Sequence, residues 1–356
     1  MNIFFFIGTK AQAIKCLPLI QSLLNSNKST LFIVDSGQHV ELVDDILSET
    51  NLNLKRIKLY KNKSNISTFS ASFEWLINFF FRYIFKSKSE FKNMDNKLCI
   101  LHGDTLSTLL GLIWAKKNNF KILHLESGLT SKNLLFPFPE EIIRRVVSRF
   151  SDILICFDSD SFKHLEKRFH NSKIIKRVSE NTIIETFKLE NSESSQNIIT
   201  VTLHRTENII SKKKLINFLN LLNSLPKSFT INWYLHEPTK YYLTKFKVTV
   251  PRNINLCNLL PHKKFINEIK KSKIIITDGG SIQEECYFLG KKTLIWRKNT
   301  ERGYALNKNM FISKYNLENS INFIKNKNLE NSNIAKLDSK PSLEIVNIID
   351  TLDLQK

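Results

Sequence analysis

Residues 98–145, LCILHGDTLSTLLGLIWAKKNNFKILHLESGLTSKNLLFPFPEEIIRR, decide the fold. Two short apolar runs, 98–101 and 121–125, each end in a polar cluster, and a helix-like segment lies between them. The clusters are His102-Gly103-Asp104-Thr105 and Glu126-Ser127-Gly128, and the pair Glu140-Glu141 opens a further helical pattern. A buried strand, a small-residue turn and a helix form the parallel βαβ signal, and ligands bind beyond the carboxyl ends of such strands. The stretch therefore brings three carboxylates to one sheet edge: Asp104, Glu126 and one of Glu140 or Glu141. Crowded, partly desolvated carboxylates acquire divergent pKa values, which is what a division into acid and base requires.

The same pattern extends outward. Residues 2–7 read as a strand, Gly8-Thr9-Lys10 as its turn, and 11–24 as a helix with Ile14, Leu17, Ile20 and Leu24 on one face. A strand at 31–35 ends at Ser36-Gly37-Gln38-His39 and leads into a helix over 40–47. Residues 55–68 read as polar and irregular, and 72–86 as an aromatic helix. Strand 153–157 and helix 160–169 follow. The pattern then restarts with strand 198–203, helix 212–224, strands 229–235 and 254–256, helix 263–272, strand 274–277, helix 282–289 and strand 293–296. The expected fold class is α/β, with two Rossmann-like doubly wound domains facing a central cleft. The first domain is expected over 1–170, completed by a C-terminal helix within 342–356, and the second over 171–341.

Composition narrows the function. The chain has 356 residues, enough for two domains, and a formal net charge of +20. Lys and Asn recur throughout without a dense basic block, so the excess is read as diffuse; it favours a phosphate-bearing substrate over nucleic acid. The cysteines Cys16, Cys99, Cys156, Cys257 and Cys286 are scattered singly, as core thiols of a cytoplasmic protein are. No Cys/His spacing suggests a metal. The N-terminal apolar run is too short for a signal peptide. Residues 73–85, FEWLINFFFRYIF, fall short of the roughly 20 apolar residues that span a bilayer. A buried or subunit-interface helix is expected there, with peripheral membrane contact the less favoured reading.

Four motifs carry chemistry, each with a plainer reading beside it. Gly8-Thr9-Lys10 opens a helix N-terminus and suits an anion; otherwise it is a tight turn with solvated Lys10 and Lys15. In Asp278-Gly279-Gly280-Ser281-Ile282-Gln283-Glu284-Glu285 the glycines admit a phosphate against backbone, and Ser281 caps the helix with Glu284 at the capping-box offset. Glu284 or Glu285 would then accept from ribose hydroxyls. Arg302, in Thr300-Glu301-Arg302, suits a diphosphate or a surface salt bridge. His204-Arg205 ends a strand at the expected cleft and reads equally as structural or functional. Neither GxGxxG after the first strand nor GxxxxGK[ST] occurs, which argues against dinucleotide and P-loop chemistry.

Together these motifs resemble the UDP-N-acetylglucosamine 2-epimerases. Gly8-Thr9, Ala13-Ile14-Lys15, Gln38-His39, His102–Thr105, Glu126–Leu129, Pro139-Glu140-Glu141, Asn181-Thr182, His204-Arg205, Ile282–Glu285 and Thr300–Arg302 recur in that family's order. The resemblance implies a glycosyltransferase-B architecture, a homodimer, and interconversion of UDP-N-acetylglucosamine and UDP-N-acetylmannosamine with neither metal nor other cofactor. It assigns acid/base chemistry to Asp104, Glu126 and Glu140, supported by His204. It assigns substrate and UDP contacts to Lys10, Lys15, Arg205, Gly279, Gly280, Ser281, Glu285 and Arg302, and an allosteric role to Gln38, His39 and His236. Departures from the family pattern are Lys10 for Arg, Gly-Gly-Ser for Ser-Gly-Gly, Gly303-Tyr304 for Pro-Glu, and Thr130-Ser131-Lys132 for an Arg-containing stretch. A hydrolysing epimerase, a glycosyltransferase and a non-catalytic UDP-sugar binder remain open as alternatives.

Overall fold

The computed structural model describes residues 1–38, 54–60, 74–78, 91, 94–131, 138–170, 172–187, 196–303, 306, 309–326 and 339–352. The chain divides into two compact units. The first is Met1–Thr186 with Asp338–Lys356, and the second is Phe187–Leu337.

The first unit runs β1 (Asn2–Ile7), α1 (Lys10–Ser26), β2 (Thr30–Asp35), β3 (Lys55–Lys58), β4 (Lys97–His102), α2 (Leu106–Lys117), β5 (Lys121–Leu125), α3 (Glu140–Phe150), β6 (Ile153–Cys156), α4 (Ser159–Phe169) and β7 (Ile174–Arg177). All seven strands pair in parallel in the order β3-β2-β1-β4-β5-β6-β7. The order reverses between β1 and β4, and open α/β sheets bind ligands at such a switch point. After Asn2, β1 is apolar throughout because helices cover both faces of a parallel sheet. On one face Phe4, Phe6, Phe32 and Leu101 pack with Trp114 of α2 and Ile143 and Val147 of α3, and Phe4 stacks on Phe32 at 4.4 Å.

Two edge strands were not foreseen. β3 pairs with β2, although residues 55–58 fall where the sequence reads as irregular. β7 pairs with β6, which carries the first unit past residue 170. Both are short and basic, KRIK and IIKR. An edge strand needs one ladder only and keeps its charges toward water, so it lacks the apolar run that marks a central strand. Beyond β7, Thr182 Oγ1 donates to the Lys15 carbonyl at 2.6 Å. Glu185 accepts from the backbone N–H of Ser342 at 2.7 Å, tying in the C-terminal helix Pro341–Asp350. The helix expected over 40–47 lies outside the described residues. Of the aromatic segment 73–85 only 74–78 are described; they are helical, and the buried Trp75 indole donates to the Ser36 carbonyl at 3.1 Å.

The second unit runs β8 (Gln196–Leu203), α5 (Thr206–Ile209), α6 (Lys212–Asn223), β9 (Thr230–Leu235), α7 (Glu237–Lys245), β10 (Ile254–Cys257), α8 (His262–Lys271), β11 (Ser272–Thr277), α9 (Gly280–Phe288), β12 (Lys292–Ile295), β13 (Met310–Ile312) and α10 (Leu317–Lys325). Its six strands are parallel in the order β10-β9-β8-β11-β12-β13, reversing between β8 and β11. Val201, Phe218, Trp233 and Trp296 centre its core. Lys291 and Lys292 are buried yet satisfied by carbonyls at helix ends: Lys291 reaches Ser272 O at 3.1 Å, and Lys292 reaches Ile324 O at 3.0 Å. Among the described residues no helix is long and apolar enough to cross a membrane.

Gly111 of α2 lies against the sheet, where a Cβ would come within 2.7 Å of Leu101 Cδ2 and Phe6 Cδ1. Gly111→Ala should lower stability by about 1–3 kcal/mol through overpacking, in spite of a helix-propensity gain of about 1 kcal/mol. Gly303→Ala, with no heavy atom within 4 Å of its Cβ, is the neutral control. Urea unfolding measures both, and an unchanged midpoint for Gly111→Ala would contradict this packing.

Candidate active site

In the first unit the site grows from the carboxyl ends of β1, β4 and β5. Glu126, immediately after β5, has a left-handed backbone (φ 61°), which is rare for a non-glycine residue and recurs at functional sites. The turn is held by Ser127, whose N–H donates to Ile155 O at 2.9 Å and whose hydroxyl donates to His124 O at 2.7 Å. At Gly128 (φ 91°) a Cβ would meet Ser161 O at 2.5 Å, so only glycine fits.

The Glu126 carboxylate is buried and receives Lys15 Nζ on both oxygens at 3.0 Å. His102 Nδ1 lies 3.5 Å from Oε2. Lys15 is thus 2% exposed and engaged with a carboxylate. The N–H groups of Gly8 and Thr9, expected to receive an anion, donate instead to Gln12 Oε1 at 3.0 and 3.1 Å. Gln12 Nε2 in turn donates to His102 O at 2.9 Å, stitching α1 to the end of β4. Lys10 is the first residue of α1 and half-buried.

Asp104 follows β4 and is ion-paired with Arg144 Nη2 of α3. Arg144 also donates through Nη1 to Glu141 at 3.2 Å. Glu141 is 1% exposed and accepts from Thr130 Oγ1 (2.8 Å), Ser131 N (3.1 Å) and Arg145 Nε (3.1 Å) as well. Burial pushes its carboxyl upward, but the Ser131, Thr130 and Arg145 hydrogen bonds and the Arg144 charge outweigh it and hold the pKa below the usual range. Glu141 is therefore a fixed anion orienting Arg144 toward Asp104. Glu140, one residue earlier at the start of α3, is half-buried. His124 is fully buried with Nε2 2.8 Å from Gly103 O, and burial lowers its pKa to about 4. Gln38 accepts from Ser107 Oγ at 2.6 Å; His39 lies outside the described residues.

In the second unit the site grows from the ends of β8, β11 and β12. Asp278 is fully buried and accepts from His204 N (3.0 Å), Arg205 N (2.9 Å) and Asn208 Nδ2 (2.9 Å). His204 Nδ1 is 3.3 Å from Asp278 Oδ1. The His204 and His236 rings lie 4.4 Å apart. Around Glu301 three guanidiniums converge: Arg302 Nη1 at 2.5 Å, Arg297 Nη1 at 2.9 Å and Arg205 Nη2 at 3.3 Å.

The glycine turn differs from expectation. α9 starts at Gly280 with Gly279 as its N-cap and no side-chain cap, so Ser281 lies inside the first turn and forms no capping box with Glu284. Glu284 is fully buried and ion-paired with Arg302 Nε at 3.2 Å. Glu285 pairs with His262 Nε2 at 2.9 Å. Gly280 lies close to the Arg302 guanidinium, which a Cβ there would displace.

The structure thus gathers Asp104, Glu126, Glu140 and Lys15 at the carboxyl edge of the first sheet. Gly279, Gly280, Arg205, His204, His236 and Arg302 gather at that of the second. Sequence reading missed His102, Arg144, Asp278 and Glu301 as members of the sites. Each stood inside a quoted motif, but nothing in a local pattern identifies the partner of a buried charge. Among the described residues no group of three or more His, Cys, Asp and Glu side chains is placed to hold a metal ion.

The class is that of two parallel-sheet α/β units of glycosyltransferase-B type. A family model described as UDP-N-acetylglucosamine 2-epimerase matches residues 21–326, and the chain belongs to that family. A UDP-N-acetylglucosamine 2-epimerase of Campylobacter jejuni is 28% identical over 334 residues, 86% of this chain and 83% of its own length. One from Neisseria meningitidis is 28% identical over 333 residues, covering 86% and 85%. An S. aureus MnaA structure with UDP superposes with a TM-score of 0.78 at 26% identity, covering 98% of this chain and 96% of that one. A Methanocaldococcus jannaschii UDP-GlcNAc 2-epimerase in complex with UDP-GlcNAc and UDP reaches 0.81 at 24%, covering 98% and 99%.

Lys15→Met should destabilise the protein by about 3–5 kcal/mol, because a buried carboxylate loses its cation; adding Glu126→Gln should recover much of that loss in denaturant unfolding. His124 gives a pH signature. Its folded pKa, about 4, lies below its ordinary 6.5, so between these values the unfolded chain binds the extra proton. Stability should therefore fall as pH drops from 6.5 toward 4, by about 1.4 kcal/mol per pH unit at most from this group. His124→Gln should flatten that slope in unfolding curves taken across this range.

Proposed function

We propose that this chain is a non-hydrolysing UDP-N-acetylglucosamine 2-epimerase, interconverting UDP-N-acetylglucosamine and UDP-N-acetylmannosamine. The observation that carries the reading is the set of three carboxylates at one sheet edge, each in a different electrostatic setting. Glu126 is buried against Lys15, Asp104 is paired with Arg144, and Glu140 is half-buried at the start of α3.

The chemistry calls for such a set. The C2 hydrogen of the sugar is not alpha to a carbonyl, so a free carbanion is costly. Removing the C2 proton while the C1–O bond to UDP breaks gives 2-acetamidoglucal and UDP. Return of a proton to the other face of C2, with UDP rejoining C1, inverts the centre and restores all atoms. Carboxylates on the two faces serve as base and acid. Arg205, Arg302 and the backbone at Gly279 and Gly280 would bind the diphosphate and stabilise its charge as it departs, with Lys10, Ser281 and Glu285 completing the nucleotide contacts. His204 supports this departure. Because the Glu141 carboxylate is saturated by protein donors, Glu140 takes the proton-transfer role. The same reading places the enzyme in the cytoplasm as a homodimer; the buried thiols of Cys16, Cys99, Cys156 and Cys286 suit a reducing compartment.

Incubation with UDP-N-acetylglucosamine in deuterated water, followed by NMR, tests this directly. Deuterium at C2 of a UDP-sugar is the expected result. Free N-acetylmannosamine with UDP would make the protein a hydrolysing epimerase, and no exchange with no product would sink both. Asp104→Asn, Glu126→Gln and Glu140→Gln should each lower kcat by about 10²–10⁴-fold or more with UDP affinity largely kept. Arg302→Ala should weaken UDP binding in calorimetry, by about 10-fold or more for a lost charge-assisted contact.

A further inference from the structure

We infer that Asp278 is a positioning residue for His204, fixing the His204-Arg205 turn and supplying the imidazole with its nearest counter-charge. This rests on the epimerase reading for what His204 does, but on geometry alone for what Asp278 does.

Asp278 has no solvent exposure and follows β11, the strand that pairs with β8 and so sits beside the His204 turn. Its carboxylate accepts both consecutive N–H groups, His204 at 3.0 Å and Arg205 at 2.9 Å. Asn208 Nδ2 adds a third donor at 2.9 Å, and Asn208 is itself held by Trp296 O at 3.2 Å and the Tyr315 hydroxyl at 2.9 Å. The Asp278 carbonyl also accepts from Arg205 Nε at 3.2 Å. One residue therefore places both side chains of the pair. A turn cap alone would need only the backbone donors. Here Oδ1 also lies 3.3 Å from His204 Nδ1, close enough for charge attraction although the two form no hydrogen bond.

The charges around His204 come from every strand end that surrounds it. Asp278 lies after β11, Arg205 and Glu207 after β8, and Arg297 after β12, while the His236 ring, after β9, lies against it. Burial drives the imidazole toward its neutral form, and Arg205 and Arg297 add to that; Asp278 is the largest opposing influence. Removing its charge while keeping its shape should make His204 harder to protonate.

The test is an NMR titration of the His204 Hε1 resonance in the full-length protein, assigned by its loss in His204→Asn, before and after Asp278→Asn. The midpoint should fall by about one pH unit or more in Asp278→Asn. In C2-exchange assays kcat should drop by about 10-fold or more. In a His204→Asn background the same change should cost clearly less than in the wild-type protein, because the part that runs through the imidazole is already lost and only the part through Arg205 remains. An unchanged midpoint overturns the inference, as does an equal loss of kcat in both backgrounds. If Asp278→Asn does not fold, Asp278→Glu decides: it should keep the midpoint and lower kcat, and wild-type kcat overturns the inference. Absence of C2 exchange in the wild-type protein would refute the epimerase reading, while the titration would still decide the role of Asp278.

Discussion

The ion pair between Lys15 and Glu126 is the constraint on which the first unit depends. Two opposite charges, both almost fully buried, are stable only together, because removing either leaves an ion in a low-dielectric interior. Satisfying the pair dictates much around it. Lys15 must come from the first turns of α1, so α1 must leave β1 beside β4 and β5. Glu126 must turn its backbone into the left-handed region to present its carboxylate there. Thr182, holding the Lys15 carbonyl, brings the chain leaving β7 to the same helix. The sheet order, with its reversal between β1 and β4, makes this convergence possible.

The second unit solves a similar problem with acceptors in place of a cation. Glu301 gathers three guanidiniums, Glu284 holds one of them from α9, and Asp278 fixes the turn that carries another. Guanidiniums placed this way are held in orientation by protein carboxylates and keep little side-chain freedom. The same economy explains Glu141 in the first unit. Its carboxylate does no more than accept protein donors, and through Arg144 it orients Asp104.

Much of this was legible in the chain. The central strands β1, β4, β5 and β11 carry apolar runs followed by turns that contain glycine, and they read as parallel strands at once. The carboxylates at 104, 126 and 140 stand at strand or helix ends where such sheets place chemistry. The elements that escaped are β3, β7, β13, α5, α7 and α10. The strands among them are short edges with one ladder to satisfy: β3 and β7 are largely basic, and β13 is only three residues long. Ser281 misled because Ser-x-x-Glu is a cap signal only when the helix starts after it. Here the helix starts one residue before it, at Gly280, with Gly279 as its N-cap.

What the sequence determined by itself was therefore periodic or local: a buried strand needs apolar residues on both faces, a tight turn needs glycine, and a sheet edge with carboxylates reads as acid/base chemistry. The pairing of buried charges was decided only by the tertiary structure. Lys15 reads from its motif as a solvated side chain and is paired with Glu126, 111 residues away. Asp278 reads as the start of a glycine turn and proves to hold His204, 74 residues away. Burial penalises an unpaired charge wherever it lies along the chain, so the partner is chosen by proximity in space, which no local pattern encodes.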